Sequence, residues 1–535
     1  MSTTPTLLAI PTGHRPEALR RALLSFTRDF AAHGHRIPVA VFHSARNAAE
    51  QDDVAKVAAS SGAHYIGLGE KVALARVLRR ATAVSPDLLA LLLFNPERQA
   101  VSTGANRNAC LLWSAGTRAL HSDDDTLATL ASHPEHTVDR SGHIETVAGD
   151  GCDYFVPSDG DVSRFMTAAT ARAPEGGVAG VLAAAWATAE ADGTKAALAF
   201  FGLAGDCGWG APFGFWGEGM GHLLLPDRAL ARIASDGRSW REALTRRRIL
   251  RCSDRLRLTR DAPGMTTSIG VDGRALLPPF FPVGRGQDAL FSALAERFCD
   301  VAALQVPYAI AHEPLETRRF HDGELFRSAA SIDCARAMFA FLETAAVADL
   351  PGFGRHLTAL GQLDPTSFTE ALRAAHRARM QRLIAAARAR ARGLPSLSAE
   401  WHADLEGYCG RVEESLTTDE PPWILDVGAD EARTSLLRLR QLVRGYGEIC
   451  EAWPSLWSAA AASAPAAALA DTPPRTPSSP ADRGTACSPY QSWLWRRQQL
   501  EPTDTSYVLF RAYEAREPVD VDLLEAAVRA LAARH

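Results

Sequence analysis

The sequence predicts an α/β protein with a mixed sheet and helices on both faces, followed by an α-helical bundle and a short, truncated α/β fragment. Three observations lead to this fold class. Apolar runs of strand length alternate with amphipathic helical patterns through residues 5–325. Residues 330–460 change to Ala-, Leu- and Arg-rich sequence with apolar residues at three- and four-residue spacing. Residues 458–486 are mainly Ala, Pro, Ser and Thr, a composition typical of flexible linkers.

We therefore divide the 535 residues into four segments. A sheet domain is predicted at 1–325, an α-helical domain at 326–457, a linker at 458–486 and an incomplete fragment at 487–535. The length agrees with more than one domain, because a single core rarely grows beyond roughly 250–300 residues.

The composition predicts a globular protein of the cytoplasm. A formal net charge of -5 gives no reason to expect a nucleic-acid partner. No apolar run approaches the roughly 18 residues of a transmembrane segment, and the N-terminus lacks the charged region of a secretory signal. The nine cysteines are odd in number and never show Cys-x-x-Cys spacing. We therefore expect reduced thiols and neither a disulfide framework nor a zinc site.

The N-terminal elements follow a βαβαβ order. A strand is predicted at 6–10, a helix at Ala18–Phe30, a second strand at 37–43, a second helix at 47–61 and a third strand at 63–68. This order predicts parallel strands covered by helices. It also predicts a nucleotide-sized ligand at the carboxyl edge of the sheet. Residues 72–82 and 86–94 are expected to form either two helices or a helix and a connector.

Three consecutive carboxylates follow the next predicted elements. A helix from Thr103 ends at Gly116, a short apolar strand follows, and Asp123, Asp124 and Asp125 stand at the end of that strand. Their like charges repel unless a cation, a basic group or water compensates them. Alone, the cluster fits a solvated acidic loop as well as a metal site.

The middle of the chain is less informative. We expect residues 127–147 to leave the sheet and residues 176–204 to form tightly packed helices. Glycines and aromatic side chains alternate in 205–222, which is either a sugar-stacking loop or, as we favour, a packed turn. The basic run Thr245–Arg251 is interpreted as surface.

Two further candidates come later. Asp288 begins a helix predicted at Ala289–Phe298, where it is either a helix cap or a reactive carboxylate. His312 follows a strand predicted at Val301–Ile310 and, taken alone, is more often structural. All of these groups could meet at one sheet edge, where a divalent ion would accept carboxylate, imidazole and diphosphate ligands.

The α-helical domain has one clear start signal. Ser367-Phe-Thr-Glu370 is a capping-box pattern, which we place at the head of a long helix that ends at Arg392.

The order of these motifs resembles the GT-A fold of the family 2 glycosyltransferases over residues 5–325. The residues that carry the resemblance are Ile10-Pro-Thr-Gly-His-Arg-Pro16, Gly104-Ala-Asn-Arg-Asn108, the Asp123–Asp125 DxD-type motif, Gly286-Gln-Asp288 and His312. The resemblance implies a hexosyl or related sugar transfer from a nucleotide-sugar donor to an acceptor hydroxyl, with inversion. The acceptor is not identified; a peptide or a lipid-linked small molecule would fit.

The resemblance also implies roles for individual residues. Asp123 and Asp125 would hold Mg²⁺ or Mn²⁺, with His312 as a third ligand. Donor binding would involve Pro11, Thr12, Arg15, Arg107, Asn108 and Asp124, and Asp288 would be the general base. Two positions differ from the family pattern. The second strand ends in Phe42-His43-Ser44 where acidic residues are usual, and Gln287 replaces the usual Glu.

The C-terminal piece resembles the start of a condensation domain of nonribosomal peptide synthetases. Ser488-Pro-Tyr-Gln491, Leu500-Glu-Pro502 and Val519-Asp-Val-Asp522 carry this resemblance. The catalytic His-His-x-x-x-Asp-Gly motif of such domains is not reached, so no condensation activity is assigned. Either the chain is the front of a longer synthetase, or the fragment is a vestige or a docking element. The resemblance implies synthetase modules as partners and a role in peptide natural-product biosynthesis.

Two other functions stay open. A nucleotidyltransferase would use the same sheet and paired carboxylates, although its usual Gly-rich phosphate loop with a Lys or Arg after the first strand is missing. A non-catalytic adaptor with a degenerate transferase head is the other alternative, which the Phe42-His43-Ser44 strand end keeps open.

Overall fold

A computed structural model describes most of the first 470 residues. The described residues are 3–45, 48–94, 103–133, 144–149, 151–156, 175–206, 223–260, 265–299, 302–316, 332–418, 422, 424, 426–427 and 431–470. Residues 1–500 form one compact unit, and 501–535 form another that lies outside the described residues. The predicted condensation-like fragment at 487–535 and the aromatic segment 207–222 also lie outside them.

Within the described residues, twelve strands form one mixed sheet. They are β1 Leu8–Thr12, β2 Val39–His43, β3 His64–Ile66, β4 Arg118–Ser122, β5 Thr126–Ser132, β6 Glu145–Ala148, β7 Asp153–Phe155, β8 Ala196–Asp206, β9 Arg248–Cys252, β10 Arg257–Arg260, β11 Ser268–Asp272 and β12 Ala302–His312.

The helices of the sheet region are α1 Pro16–Ala32, α2 Ala48–Ser60, α3 Leu68–Thr82, α4 Pro86–Phe94, α5 Thr103–Ser114, α6 Gly177–Ala191, α7 Asp227–Ile233, α8 Gly237–Thr245 and α9 Gln287–Phe298. The later helices are α10 Cys334–Thr344, α11 Leu350–Gln362, α12 Pro365–Gly393, α13 Ala399–Ser415, α14 Ala432–Ser463 and α15 Pro465–Ala470. The predicted α/β class, with a mixed sheet and helices, is confirmed.

The strand order is β3-β2-β1-β4-β11-β8-β12-β10-β6, with β5 paired to β12 and β9 paired to β7 and β8. Strands β1 to β4 are mutually parallel, whereas β11 runs antiparallel to both β4 and β8. The order reverses between β1 and β4, because the chain moves outward to β3 and then returns to the other side of β1. A reversal of this kind leaves a crevice at the carboxyl ends of the two strands.

Successive residues of β1 point to opposite faces of the sheet, and each face has its own apolar core. Ala9 belongs to a cluster that includes side chains of α3, α4, α5 and α14. Leu8 and Ile10 belong to a second cluster that includes α1, α6 and α13. Helices therefore cover both faces of the sheet. Each cluster combines side chains from before and after residue 325, while the predicted domain boundary itself stays a prediction.

Helices α11 and α14 approach closely because glycines face one another. A Cβ on Gly354 would lie 2.6 Å from the carbonyl oxygen of Gly447, and a Cβ on Gly447 would lie 2.6 Å from the backbone nitrogen of Thr358. Neither contact leaves room for a side chain. Helix α14 continues to Ser463 and so includes the first six residues of the predicted linker.

Two predictions about the sheet were wrong. Residues 127–132 and 145–147 lie within the sheet, where β5 pairs antiparallel with β12 and β6 pairs parallel with β10, while residues 134–143 lie outside the described residues. Residues 196–204 form the long strand β8 and not a helix. A strand buried on both faces shows a continuous apolar run, which periodicity cannot distinguish from a buried helix.

Two local predictions also need correction. The basic run at 245–251 is surface only in part: Thr245 and Arg248 are exposed, whereas Ile249, Leu250 and Arg251 are buried in β9 between β7 and β8. The capping residue of the long helix is Asp364 and not Ser367. Its Oδ1 accepts hydrogen bonds from the backbone N–H groups of Thr366 and Ser367, so the helix begins three residues earlier than predicted.

Candidate functional site

The three consecutive carboxylates stand at the crevice between β1 and β4. Thr12 is the last residue of β1, and Asp123 follows directly after Ser122, the last residue of β4. Gly116, with φ of 82°, turns the chain from α5 into β4. The sequence prediction that these residues lie at a carboxyl edge of the sheet is confirmed.

Asp124 points toward β1 and is completely buried. It accepts a hydrogen bond from the Thr12 hydroxyl at 2.5 Å and forms a two-point ion pair with the guanidinium of Arg15. Burial raises the pKa of Asp124 to about 6, although Arg15 and Thr12 act in the opposite direction. Asp124 thus fixes the segment after β1 against the turn after β4.

Asp125 is held by two cations. Arg15 Nη1 donates to Oδ2 at 2.7 Å, and His312 Nε2 lies 3.2 Å from Oδ1. Burial acts to raise the pKa of Asp125, but the hydrogen bond and charge of His312, with Arg15, hold it well below its usual range.

His312 is placed to be an imidazolium. Its Nδ1 contacts the backbone carbonyl oxygen of Asp206, which can only accept, so Nδ1 carries a proton. Its Nε2 faces the carboxylate of Asp125, which also accepts when ionised. Although burial lowers the pKa of His312, the bond and charge of Asp125 outweigh it, and the pKa is raised.

Asp123 belongs to a second group with Arg107 and Asp288. Arg107 Nη2 donates to Asp123 Oδ1 at 2.7 Å, and Arg107 Nε lies 3.7 Å from Asp288 Oδ1. Arg107 Nη1 also donates to the backbone oxygen of Thr266 at 2.9 Å. Burial, together with the charges of Asp125, Asp288 and Asp124, raises the pKa of Asp123 to about 7 against the attraction of Arg107.

The described residues contain no group of three or more His, Cys, Asp or Glu side chains placed to hold a metal ion. The chemistry of the cluster nevertheless suits a hard cation. Four carboxylates face two guanidinium groups and one imidazolium, and Asp288 Oδ1 is buried without a hydrogen-bond partner. Asp123 and Asp125 would supply the carboxylate oxygens that such an ion prefers. In this structure these carboxylates pair with Arg107, Arg15 and His312.

Two predicted donor-binding residues lie outside the cluster. The Asn108 side chain is fully buried, donates to the backbone oxygen of Phe280 at 2.9 Å and accepts from its backbone N–H at 2.7 Å. Asn108 therefore holds the 280 loop. Pro11 is buried within β1, where it pairs with Phe42. Gln287, at the start of α9, donates to Thr103 Oγ1 at 2.5 Å.

A buried polar network near the ends of β1 and β2 was not predicted. The Asn106 amide donates to the backbone oxygens of Thr12 at 3.3 Å and Phe42 at 2.7 Å. Lys71 Nζ donates to Asn106 Oδ1 at 2.7 Å and to Ser44 Oγ at 3.3 Å. Lys71 is one of three lysines in the chain, and this rarity is the signal that the sequence offered. Its burial, unusual for lysine, is seen only in the structure.

Comparison with family models, curated proteins and solved structures found no match for this chain. Within the described residues, no helix is both long and apolar enough to cross a bilayer.

Proposed function

We propose that the chain is a metal-dependent glycosyltransferase that moves a sugar from a nucleotide-diphosphate donor to an acceptor hydroxyl with inversion. One observation carries the proposal. The Asp123–Asp125 segment, Asp288 and His312 are far apart in sequence but converge with Arg15 and Arg107 at the crevice between β1 and β4. Open α/β sheets bind nucleotide-sized ligands at such a crevice.

In this proposal Asp288 is the general base. It removes the proton from the acceptor hydroxyl as the hydroxyl oxygen bonds to the anomeric carbon and the bond to the diphosphate oxygen breaks. The electron pair of that bond leaves with the nucleoside diphosphate. Arg107, which contacts Asp288 on one side and Asp123 on the other, keeps the base beside the site.

Arg15 and His312 provide positive charge on the side where the leaving group would lie. Charge placed in advance where negative charge develops lowers the barrier without reorganisation during the reaction. A divalent ion held by Asp123 and Asp125 would neutralise the diphosphate as a Lewis acid. The buried, crowded carboxylates support this role, because a cation would relieve their repulsion.

The experiment compares Asp288→Asn and Asp125→Asn with the native chain in a panel of nucleotide sugars and Mn²⁺. We expect release of nucleoside diphosphate to fall by about 100-fold or more in both variants. Asp53→Asn, an exposed carboxylate on α2, is the matched control and should retain full turnover. Native turnover in both site variants, with unchanged melting temperatures, would refute the proposal.

Two further measurements separate the alternatives. With a nucleoside triphosphate and a sugar phosphate in place of the nucleotide sugars, release of pyrophosphate would favour a nucleotidyltransferase over sugar transfer. Calorimetry that detects no binding of any donor in the presence of Mn²⁺ would favour a non-catalytic adaptor. The proposed link to synthetase modules rests on residues 487–535 alone and is tested separately, by measuring whether deletion of that segment abolishes binding to a synthetase module.

A further inference from the structure

A second cavity, of about 480 Å³, lies at the other end of β4 from the carboxylate cluster. Arg118, the first residue of β4, and Asp272, the last residue of β11, both line it. Arg118 is five positions before Asp123, which corresponds to about 16 Å along an extended strand. Because β4 is buried throughout, this cavity is separate from the candidate active site.

The acidic side chains of the cavity are already neutralised. Arg118 Nε donates to Asp272 at 2.9 Å, and its Nη2 forms an ion pair with Glu190. Arg274 contacts the same two carboxylates, at 2.5 Å from Asp272 and 3.3 Å from Glu190. Two guanidinium groups thus balance two carboxylates.

Lys195 adds a positive charge that is not neutralised by the ion pairs of Arg118 and Arg274. It lines the cavity, is exposed, and has no ion-pair partner among the residues that the structure describes. The rest of the wall is mainly apolar and consists of Trp186, four alanines (Ala189, Ala196, Ala197 and Ala275), Cys299 and one polar residue, Thr194. The Arg118 guanidinium lies 5.1 Å from the centre of the Trp186 ring and forms a cation–π contact with that wall.

We propose that this cavity binds a small organic anion with an apolar body. The anionic group, a carboxylate or a phosphate ester, pairs with Lys195, and the apolar body covers the alanines and Trp186. The volume is within the roughly 300–1,000 Å³ range of small-molecule sites. The proposal does not depend on the function proposed above, since none of the residues that line this cavity belongs to the carboxylate cluster.

The test uses the rarity of lysine in this chain. Of the three lysines, Lys71 is buried, while Lys56 on α2 and Lys195 are exposed. The full chain is acetylated with a succinimidyl ester in the presence of 2-naphthoate, and both sites are quantified by peptide mass spectrometry. We expect 2-naphthoate to slow acetylation of Lys195 and to leave Lys56 unchanged. Inorganic phosphate is an anion without an apolar body, and 2-naphthamide is an apolar body without a charge. Each should protect Lys195 less than 2-naphthoate.

Calorimetry provides an independent reading. Lys195→Ala should weaken 2-naphthoate binding by about threefold to tenfold, whereas Lys56→Ala should not change it. Equal protection of both lysines, no protection, or full affinity in Lys195→Ala would overturn the proposal. If phosphate or 2-naphthamide protects Lys195 as well as 2-naphthoate, the requirement for an anion joined to an apolar body is wrong.

Discussion

Arg107 donates a hydrogen bond of 2.7 Å to Asp123, and the two residues come from different elements of the fold. Arg107 lies in α5, whereas Asp123 follows β4. The same guanidinium lies 3.7 Å from Asp288 at the start of α9. The distance between a proposed metal ligand and the proposed general base is therefore set by one buried side chain.

Replacing Arg107 with Met should destabilise the protein. The substitution removes the guanidinium that pairs with Asp123 and leaves this carboxylate close to three others. Breaking a buried ion pair lowers the free energy of unfolding by about 3 kcal/mol. Chemical denaturation should show this loss, with Arg20→Met on the exposed face of α1 as the control. A change below about 0.5 kcal/mol would show that Arg107 is not needed to hold the cluster.

Arg15→Lys tests whether one cation must span two carboxylates. The guanidinium pairs with Asp124 and Asp125 together, while an ammonium is a point charge that cannot reproduce this geometry. We expect turnover of the nucleotide sugar to fall by about tenfold or more, with the Arg20→Lys variant unaffected. Equal turnover in the two variants would show that charge alone is sufficient at position 15.

Asn108 should behave as a structural residue. Asn108→Ala removes both hydrogen bonds to the Phe280 backbone and leaves a buried N–H and carbonyl without partners, at a cost of about 2–4 kcal/mol. Donor affinity of the folded protein, measured by calorimetry, should stay unchanged. A large loss of affinity in a variant with native stability would instead support the role in donor binding that the sequence predicted.

The pH dependence of stability should reveal the titration of His43. Burial, and the nearby charge of Lys71, lower its pKa from 6.5 to about 4, so the folded state binds the proton less well than the unfolded state. The stabilisation that neutral His43 contributes is thus present above about pH 6.5 and is lost as the pH decreases toward 4. Between pH 6.5 and 5 the titration of His43 should lower the free energy of unfolding by about 2 kcal/mol.

The measurement is the free energy of unfolding at pH 7.5 and pH 5 for the native chain and His43→Asn. The native chain should lose more stability than the variant over this interval. If both lose the same amount, His43 does not titrate in the way its burial requires.

Gly104→Ala should be poorly tolerated for a steric reason. A Cβ at this position would lie 1.8 Å from the backbone oxygen of Phe281, so the start of α5 or the 280 loop must move. We expect a loss of about 1–3 kcal/mol or more. Gly69→Ala is the matched control, because its Cβ meets nothing within 4 Å in α3 and Ala favours the helix. A melting temperature for Gly104→Ala equal to that of Gly69→Ala would contradict the packing.

The sequence determined much of the N-terminal half of the sheet. Alternating apolar runs and helical patterns placed β1 to β4 and α1 to α5 close to their observed bounds, and they put Asp123–Asp125 at a strand end. These features depend on interactions within short segments, which local patterning reports directly. The later strands were harder to predict, because β5, β6 and β9 find their partners far along the chain and their registers are decided by that pairing.

Only the tertiary structure decided how the site is divided. The family resemblance implied that Asp123 and Asp125 act together and that Asn108 faces the ligand. In the folded chain Arg15 joins Asp124 to Asp125, while Arg107 joins Asp123 to Asp288. Neighbouring residues after a strand point in different directions, so their partners depend on which helices reach the sheet edge. Side-chain chemistry is therefore visible in the sequence, whereas the pairing of charges in a buried cluster is a property of the complete fold.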